Sequence, residues 1–403
     1  MPLFHHRCVQ TRSARRIRGR GWRALQLGLL LLTVVLAGRS PAASLTYLGF
    51  AGVGYDMSSD GQVVVGRIGS NTYGGAFRWT AATGMQVLST DAEATGVSAD
   101  GSTVCGTKGA PGGGGWRAFR WTEGSGIVTL RNNVSDDVSY GNDISADGST
   151  VIGSFNEGSG NRPFVWSATT GARTLPVPNE SHNTFGDAVK ITGDGTKAFG
   201  TSTFPGAFGQ PARWTLNPDT YDRIDPTVNM NYPDVTGISA DGSVVAGTTL
   251  SHDGRAPWYW TALSGLVYMA PAGAASWVAV SPDGRYVTYQ IRGVTSLFDR
   301  STLSVQNLAD VFANEGLPVL GQYNSFSVRA ITGDAVSGYN FTGGIDEGWN
   351  IPGAYVVRGI FAGSAAVPEI DPAGLGSVAA LVTGALGLAE KRLRARRRAT
   401  PIA

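Results

Sequence analysis

Gly96-Val97-Ser98-Ala99-Asp100-Gly101-Ser102-Thr103-Val104-Cys105-Gly106 decides how this chain is read, because it returns twice almost unchanged. The copies are Asp143-Ile144-Ser145-Ala146-Asp147-Gly148-Ser149-Thr150-Val151-Ile152-Gly153 and Gly237-Ile238-Ser239-Ala240-Asp241-Gly242-Ser243-Val244-Val245-Ala246-Gly247. Each joins an apolar strand to a valine-rich strand through a Ser-x-Asp-Gly turn. Aspartate caps a tight bend, and glycine supplies the positive φ that a hairpin connection needs. Weaker copies centre on Asp60-Gly61, Asp194-Gly195, Asp283-Gly284 and Asp334.

Successive aspartates of this set lie 40, 47, 47, 47, 42 and 51 residues apart, a spacing of one four-stranded propeller blade with variable loops. After each turn comes a third strand, read in Ala76-Phe77-Arg78-Trp79, Ala118-Phe119-Arg120-Trp121, Pro163-Phe164-Val165-Trp166, Pro211-Ala212-Arg213-Trp214 and Pro257-Trp258-Tyr259-Trp260. With a period of two, Phe77 and Trp79 share a face and Arg78 takes the other. Repetition of the aromatic position in most blades assigns it to blade-to-blade packing rather than sugar stacking. Short fourth strands end at Leu88, Leu130, Leu175 and Met269, but the last repeat lacks one. Ser44-Leu45-Thr46-Tyr47-Leu48-Gly49, ahead of the first full repeat, matches the missing piece. The expected fold is therefore all-β: a propeller of seven four-stranded blades over residues 44–366, closed by the N-terminal strand, which removes open sheet edges.

Composition agrees, with 57 glycines, 19 prolines and only 15% charged residues. The overall charge of +2 hides an acidic body: 18 of the 32 bases but 27 of the 30 acids lie between Ser44 and Ala366, a net −9. That sign repels a phosphate backbone and argues against nucleic acid as a partner. Cys8 lies ahead of the body and Cys105 has no partner within it, so Cys105 is read as a small buried apolar residue.

The ends carry addresses. Residues 1–43 combine many arginines, an apolar run from Ala24 to Ala37 and small residues at Ala42 and Ala43, the plan of a signal peptide cut by signal peptidase. At the other end stand Val367-Pro368-Glu369-Ile370-Asp371-Pro372, an apolar stretch over 373–389 and a basic end over 390–398. Those 17 mostly apolar residues would reach about 25 Å as a helix, and flanking arginines make up the remainder of a membrane span by snorkelling. The basic end is expected to stay cytoplasmic, leaving the body outside.

Residues 367–398 resemble the PEP-CTERM sorting domain, with Ile370 and Asp371 departing from a plain Pro-Glu-Pro. The resemblance implies a second partner, exosortase, a membrane cysteine protease that recognises the Pro-Glu region. It implies transfer from an inner-membrane-anchored intermediate to the cell surface or its polysaccharide matrix. The repeat unit resembles the extracellular HAF-type repeat, with Gly75, Arg117, Arg162, Gln210 and Ala256 where that family has histidine. Ser281-Pro282-Asp283-Gly284-Arg285-Tyr286 is also similar to the repeat of TolB-like propellers.

The functional expectation is a surface binding or structural protein with extracellular polysaccharide or surface proteins as partners. No cofactor or metal is expected. A single Asp-Gly pair falls short of the six to eight oxygens of a calcium site, and Asp219, Asp222 and Asp225 read as a solvated loop. The alternative is a secreted glycan hydrolase or lyase using Asp136 with Asp137, or Asp346 with Glu347, at the channel mouth, or Glu180 with His182 as a base dyad. Adjacent strand residues face opposite ways, so no catalytic residue is assigned.

Overall fold

A computed structural model describes residues 43–361, apart from 70–73, 111–114, 131–137, 157–159, 179–185, 318–325, 334 and 343–350. It is a seven-bladed β-propeller of antiparallel four-stranded sheets. The inner strands are the second half of Ser44–Met57, then Ala92–Val97, Val138–Ile144, Gly186–Ile191, Asp234–Ile238, Ala275–Val280 and Phe326–Ile331 for blades 1 to 7.

Ring closure follows from one long strand. Ser44, Leu45, Thr46 and Tyr47 pair with Arg358, Val357, Val356 and Tyr355, the outer side of blade 7. Gly52 to Met57 then pair with Ile68 to Val64 as the inner strand of blade 1. Blades 7 and 1 thus form one continuous seven-stranded sheet, as the missing fourth strand of the last repeat required.

Apolar packing lies between blades. Val64, Phe77 and Trp79 of blade 1 meet Ala335, Ala354 and Val356 of blade 7. The opposite face of blade 1, with Val63 and Val65, meets Val104, Phe119 and Trp121 of blade 2. The strand period that puts Phe77 and Trp79 on one face thus aims them at the preceding blade, and burying a side chain such as Phe119 contributes about 2–3 kcal/mol. Cys105 is fully buried where blade 2 meets blade 3, and burial pushes its thiol up.

The repeat gave no warning of a short helix, α1 (Leu308–Asn314), between blades 6 and 7. Its first turn is capped by the Asn307 side chain, which accepts the Ala309 N–H at 3.0 Å, and Leu308, Ala309 and Phe312 are buried. No helix among the described residues is long and apolar enough to cross a membrane. Of the expected address segments, 1–43 and 367–398, all but Ala43 lie outside the described residues.

Candidate functional site

The Asp-Gly turns gather at one mouth of the central channel. Asp100 shows their construction: its Oδ1 accepts from the Ser98 hydroxyl at 2.6 Å and the Ser102 N–H at 3.0 Å. Ser98 Oγ in turn accepts the Thr103 N–H at 3.0 Å, and Gly101 sits at φ +72°. Asp60, Asp147, Asp194, Asp241 and Asp283 hold the same turn around Gly61, Gly148, Gly195, Gly242 and Gly284. The Ser98 and Ser102 hydrogen bonds hold the Asp100 carboxyl below its ordinary range. At Asp60, Asp147, Asp194 and Asp241 partial burial pushes upward, and the hydrogen bonds of the turn outweigh it.

The residue before the aspartate links each of these six turns to its neighbour around the mouth. Backbone N–H groups of Ser59, Ala99, Ala146, Gly193 and Ala240 donate to the carbonyls of Ala99, Ala146, Gly193, Ala240 and Pro282, at 2.8–3.0 Å. Proline at 282 has no N–H with which to continue the circle. This ring was not visible in the repeat, since each bond joins residues 40 or more positions apart and uses only backbone.

Above the ring every inner strand carries one extra residue, and it falls at the same level in all seven: Tyr55, Thr95, Asn142, Val189, Thr236, Trp277 and Arg329. A bulge re-aims its side chain and the next one out of the regular alternation. Most of these side chains tie one blade to the next. Thr95 donates to Gly141 O at 2.7 Å, Asn142 to Ala188 O at 2.8 Å and Thr236 to Val278 O at 2.8 Å. Arg329 lies 3.7 Å from the centre of the Trp277 ring, a cation–π contact across blades 6 and 7.

The residues following the bulges supply the charge. Asp56 accepts the Val97 N–H at 2.8 Å, and Asp143 accepts the Ile191 N–H at 3.0 Å and lies 3.8 Å from Lys190 Nζ. With Thr236 and Arg329 they line a cavity of about 210 Å³ behind the turn ring. Burial pushes Asp56 up to about 6 against the pull of Lys190, and burial likewise raises Asp143. Burial alone would lower Lys190, but Asp143 and Asp56 outweigh it and hold the ammonium above its usual range. Asp187, beside Asn142 at 2.9 Å, is also pushed up by burial to about 6. The layer therefore combines reluctant carboxylates with a firmly charged lysine.

Sequence reasoning missed Asp56, Asp143 and Lys190, because their shared level depends on the bulges. The carboxylate pairs it weighed, Asp136 with Asp137 and Asp346 with Glu347, and the Glu180 with His182 dyad lie outside the described residues. Asp219 and Asp222 are drawn apart into ion pairs with Arg173 and Arg213, while Asp225 caps its own loop through the Thr227 N–H at 3.0 Å. Among the described residues no group of three metal-ligating side chains converges.

Fold and channel together define a seven-bladed β-propeller with a polar, charge-paired axis. No family model matches the chain, and no curated protein matches its sequence. Solved structures do: an oligogalacturonate lyase from Vibrio parahaemolyticus superposes with a TM-score of 0.51 at 11% identity, over 78% of this chain and 93% of the lyase. A prolyl endopeptidase gives 0.50 at 14% identity, over 66% of this chain and 42% of that one. TolB from Acinetobacter baumannii gives 0.38 at 13% identity over 54% of this chain, and the chain spans 52% of that TolB's length. What the lyase and the endopeptidase share with this chain at such identities is the propeller fold.

Proposed function

We propose that this protein is an exported propeller with a binding or structural role at the cell surface or in the extracellular matrix. Its route would be removal of residues 1–43 by signal peptidase, a membrane-anchored intermediate, and sorting by exosortase at Val367 to Pro372. The sequence of both ends motivates the route. The geometry bears on the role through one observation: the channel carboxylates of Asp56 and Asp143 are occupied in holding neighbouring inner strands through the Val97 and Ile191 N–H groups. Side chains used as blade ties favour a rigid platform for binding.

Intact mass and cell fractionation of the protein from its native host test this reading. The expected product starts near Ser44, ends near Pro368 and is found at the surface or in the matrix. A chain retaining 373–398 in the inner membrane would refute sorting.

A second reading, glycan hydrolysis or lysis, is favoured by Asp56, whose carboxyl is pushed up to about 6 beside Lys190 in a cavity. Shortened oligosaccharides released by the wild type and absent with Asp56→Asn would establish it, and no release would dismiss it.

A further inference from the structure

The free edges of the seven inner strands face the axis, and the alternation of an antiparallel ladder decides which backbone groups they present. In every blade the first turn residue donates its N–H across the hairpin, as Ser98 does to Thr103 O and Ser239 to Val244 O, both at 2.9 Å. The residue before it, in the next and wider-spaced pair, therefore turns its N–H away from the sheet and toward the axis. Met57, Val97, Ile144, Ile191, Ile238, Val280 and Ile331 hold this place in blades 1 to 7.

Two carboxylates receive the N–H groups of blades 1 to 4. Asp56 takes that of Met57 and, across the blade boundary, that of Val97 at 2.8 Å. Asp143 takes those of Ile144 and, at 3.0 Å, Ile191. Blades 5 to 7 repeat the donors without the acid: Gly237, Ala279 and Ala330 stand where blades 1 and 3 have Asp56 and Asp143. A Cβ added at Gly237 would lie 3.1 Å from Val280 N, so this position aims at the next blade's N–H as Asp56 does, and glycine leaves the space before it open. Val278 O, 3.0 Å from the same point, is already engaged by the Thr236 hydroxyl at 2.8 Å. The two cations of the layer flank this sector, Lys190 from blade 4 at one end and Arg329 from blade 7 at the other, and all these groups line the same cavity of about 210 Å³.

We infer that the blade 5 to 7 side of the axial cavity is a binding site for a small carboxylate ion, held by the N–H groups of Ile238, Val280 and Ile331 beside Arg329. The chain's own carboxylates show the mode on the other side, where each joins N–H groups of adjacent blades through charge-assisted bonds. A buried N–H gains from an acceptor, and an ionised one near a guanidinium gains most. Trp277 adopts φ +36°, a strained backbone for an aromatic residue, and stacks on Arg329 at 3.7 Å, which fixes the guanidinium at the cavity. A volume below the range of about 300–1,000 Å³ for drug-sized ligands limits the ion to a few carbons. The site belongs to the axis and holds whether or not the chain is exported, so the mass and fractionation results leave it untouched.

The test adds 13C-labelled acetate to the full exported protein and follows the broadening of its NMR signal, with 13C-labelled methylammonium as the cationic control and sulfate as a competitor. Acetate is expected to bind with a Kd on the order of 1 mM. Ala279→Asp, which sets a carboxylate beside the Val280 and Ile331 N–H groups as Asp143 does for Ile144 and Ile191, is expected to weaken acetate at least about tenfold. Arg329→Gln is expected to weaken it comparably and decides the matter if the first variant misfolds. The inference is overturned if acetate fails to bind the folded parent, if the folded variants bind it as the parent does, if methylammonium binds better, or if sulfate displaces acetate at the lower concentration.

Discussion

Gly101 and Gly206 adopt nearly the same left-handed backbone, φ +72° and +73°, yet their surroundings differ completely. A Cβ at Gly101 would lie 2.3 Å from Val63 Cγ2 of the preceding blade, whereas one at Gly206 meets nothing within 4 Å. Gly206→Ala is expected to cost only the backbone penalty of about 1–2 kcal/mol. Gly101→Ala adds about 1–3 kcal/mol of overpacking, and urea unfolding midpoints of the two variants measure the difference. Equal midpoints would mean the interface yields freely. The need for glycine at 101 was legible from the Asp-Gly pair, since it follows from local turn geometry. The contact with Val63 was not, because it depends on the angle at which two blades stack.

At the scale of the element, the strand Ser44–Met57 carries the most weight, serving blade 7 with one half and blade 1 with the other. Removing residues 44–49 leaves Ile351–Arg358 as an open edge and uncovers the cluster that holds Leu48. Such an edge recruits other strands, so the truncated chain is expected to aggregate or unfold at markedly lower urea than the intact one. Leu48→Ala alone is expected to cost about 2–5 kcal/mol. A truncated chain as stable and monomeric as the parent would show that closure contributes nothing. This strand was readable because it completes a count of four. The bulges of the inner strands were not, since Tyr55, Thr95, Asn142, Val189, Thr236, Trp277 and Arg329 have no one residue type in common. Their common feature is a step in pairing register, a relation between two strands. Helix α1 was hidden for a different reason: at seven residues it is too short for its periodicity to stand out from a strand-rich background.

For the whole molecule, stability against pH combines two opposed sets of carboxylates. Asp60, Asp100, Asp147, Asp194 and Asp241 have folded values below the unfolded one, so their contribution is present above about pH 4 and lost on acidification. Asp56 and Asp187, raised to about 6, act the other way. Between about pH 4 and pH 6 they ionise in the unfolded chain while the fold keeps their protons, so stability falls as pH rises through that window. Urea midpoints from about pH 3 to pH 7 are expected to rise and then decline, and Asp187→Asn to flatten the decline. A monotonic rise to pH 7 in the parent would contradict the buried set.

Residues 44–361 determined by themselves what depends on neighbours in the chain: the strand period, the Asp-Gly turns, the blade count and the closing strand. These are local or periodic patterns, and a repeat displays them several times over. The turn ring and the charged layer of Asp56, Asp143 and Lys190 were decided by tertiary structure alone. Each joins residues roughly one blade or more apart, and their burial and distances exist only after the ring has closed.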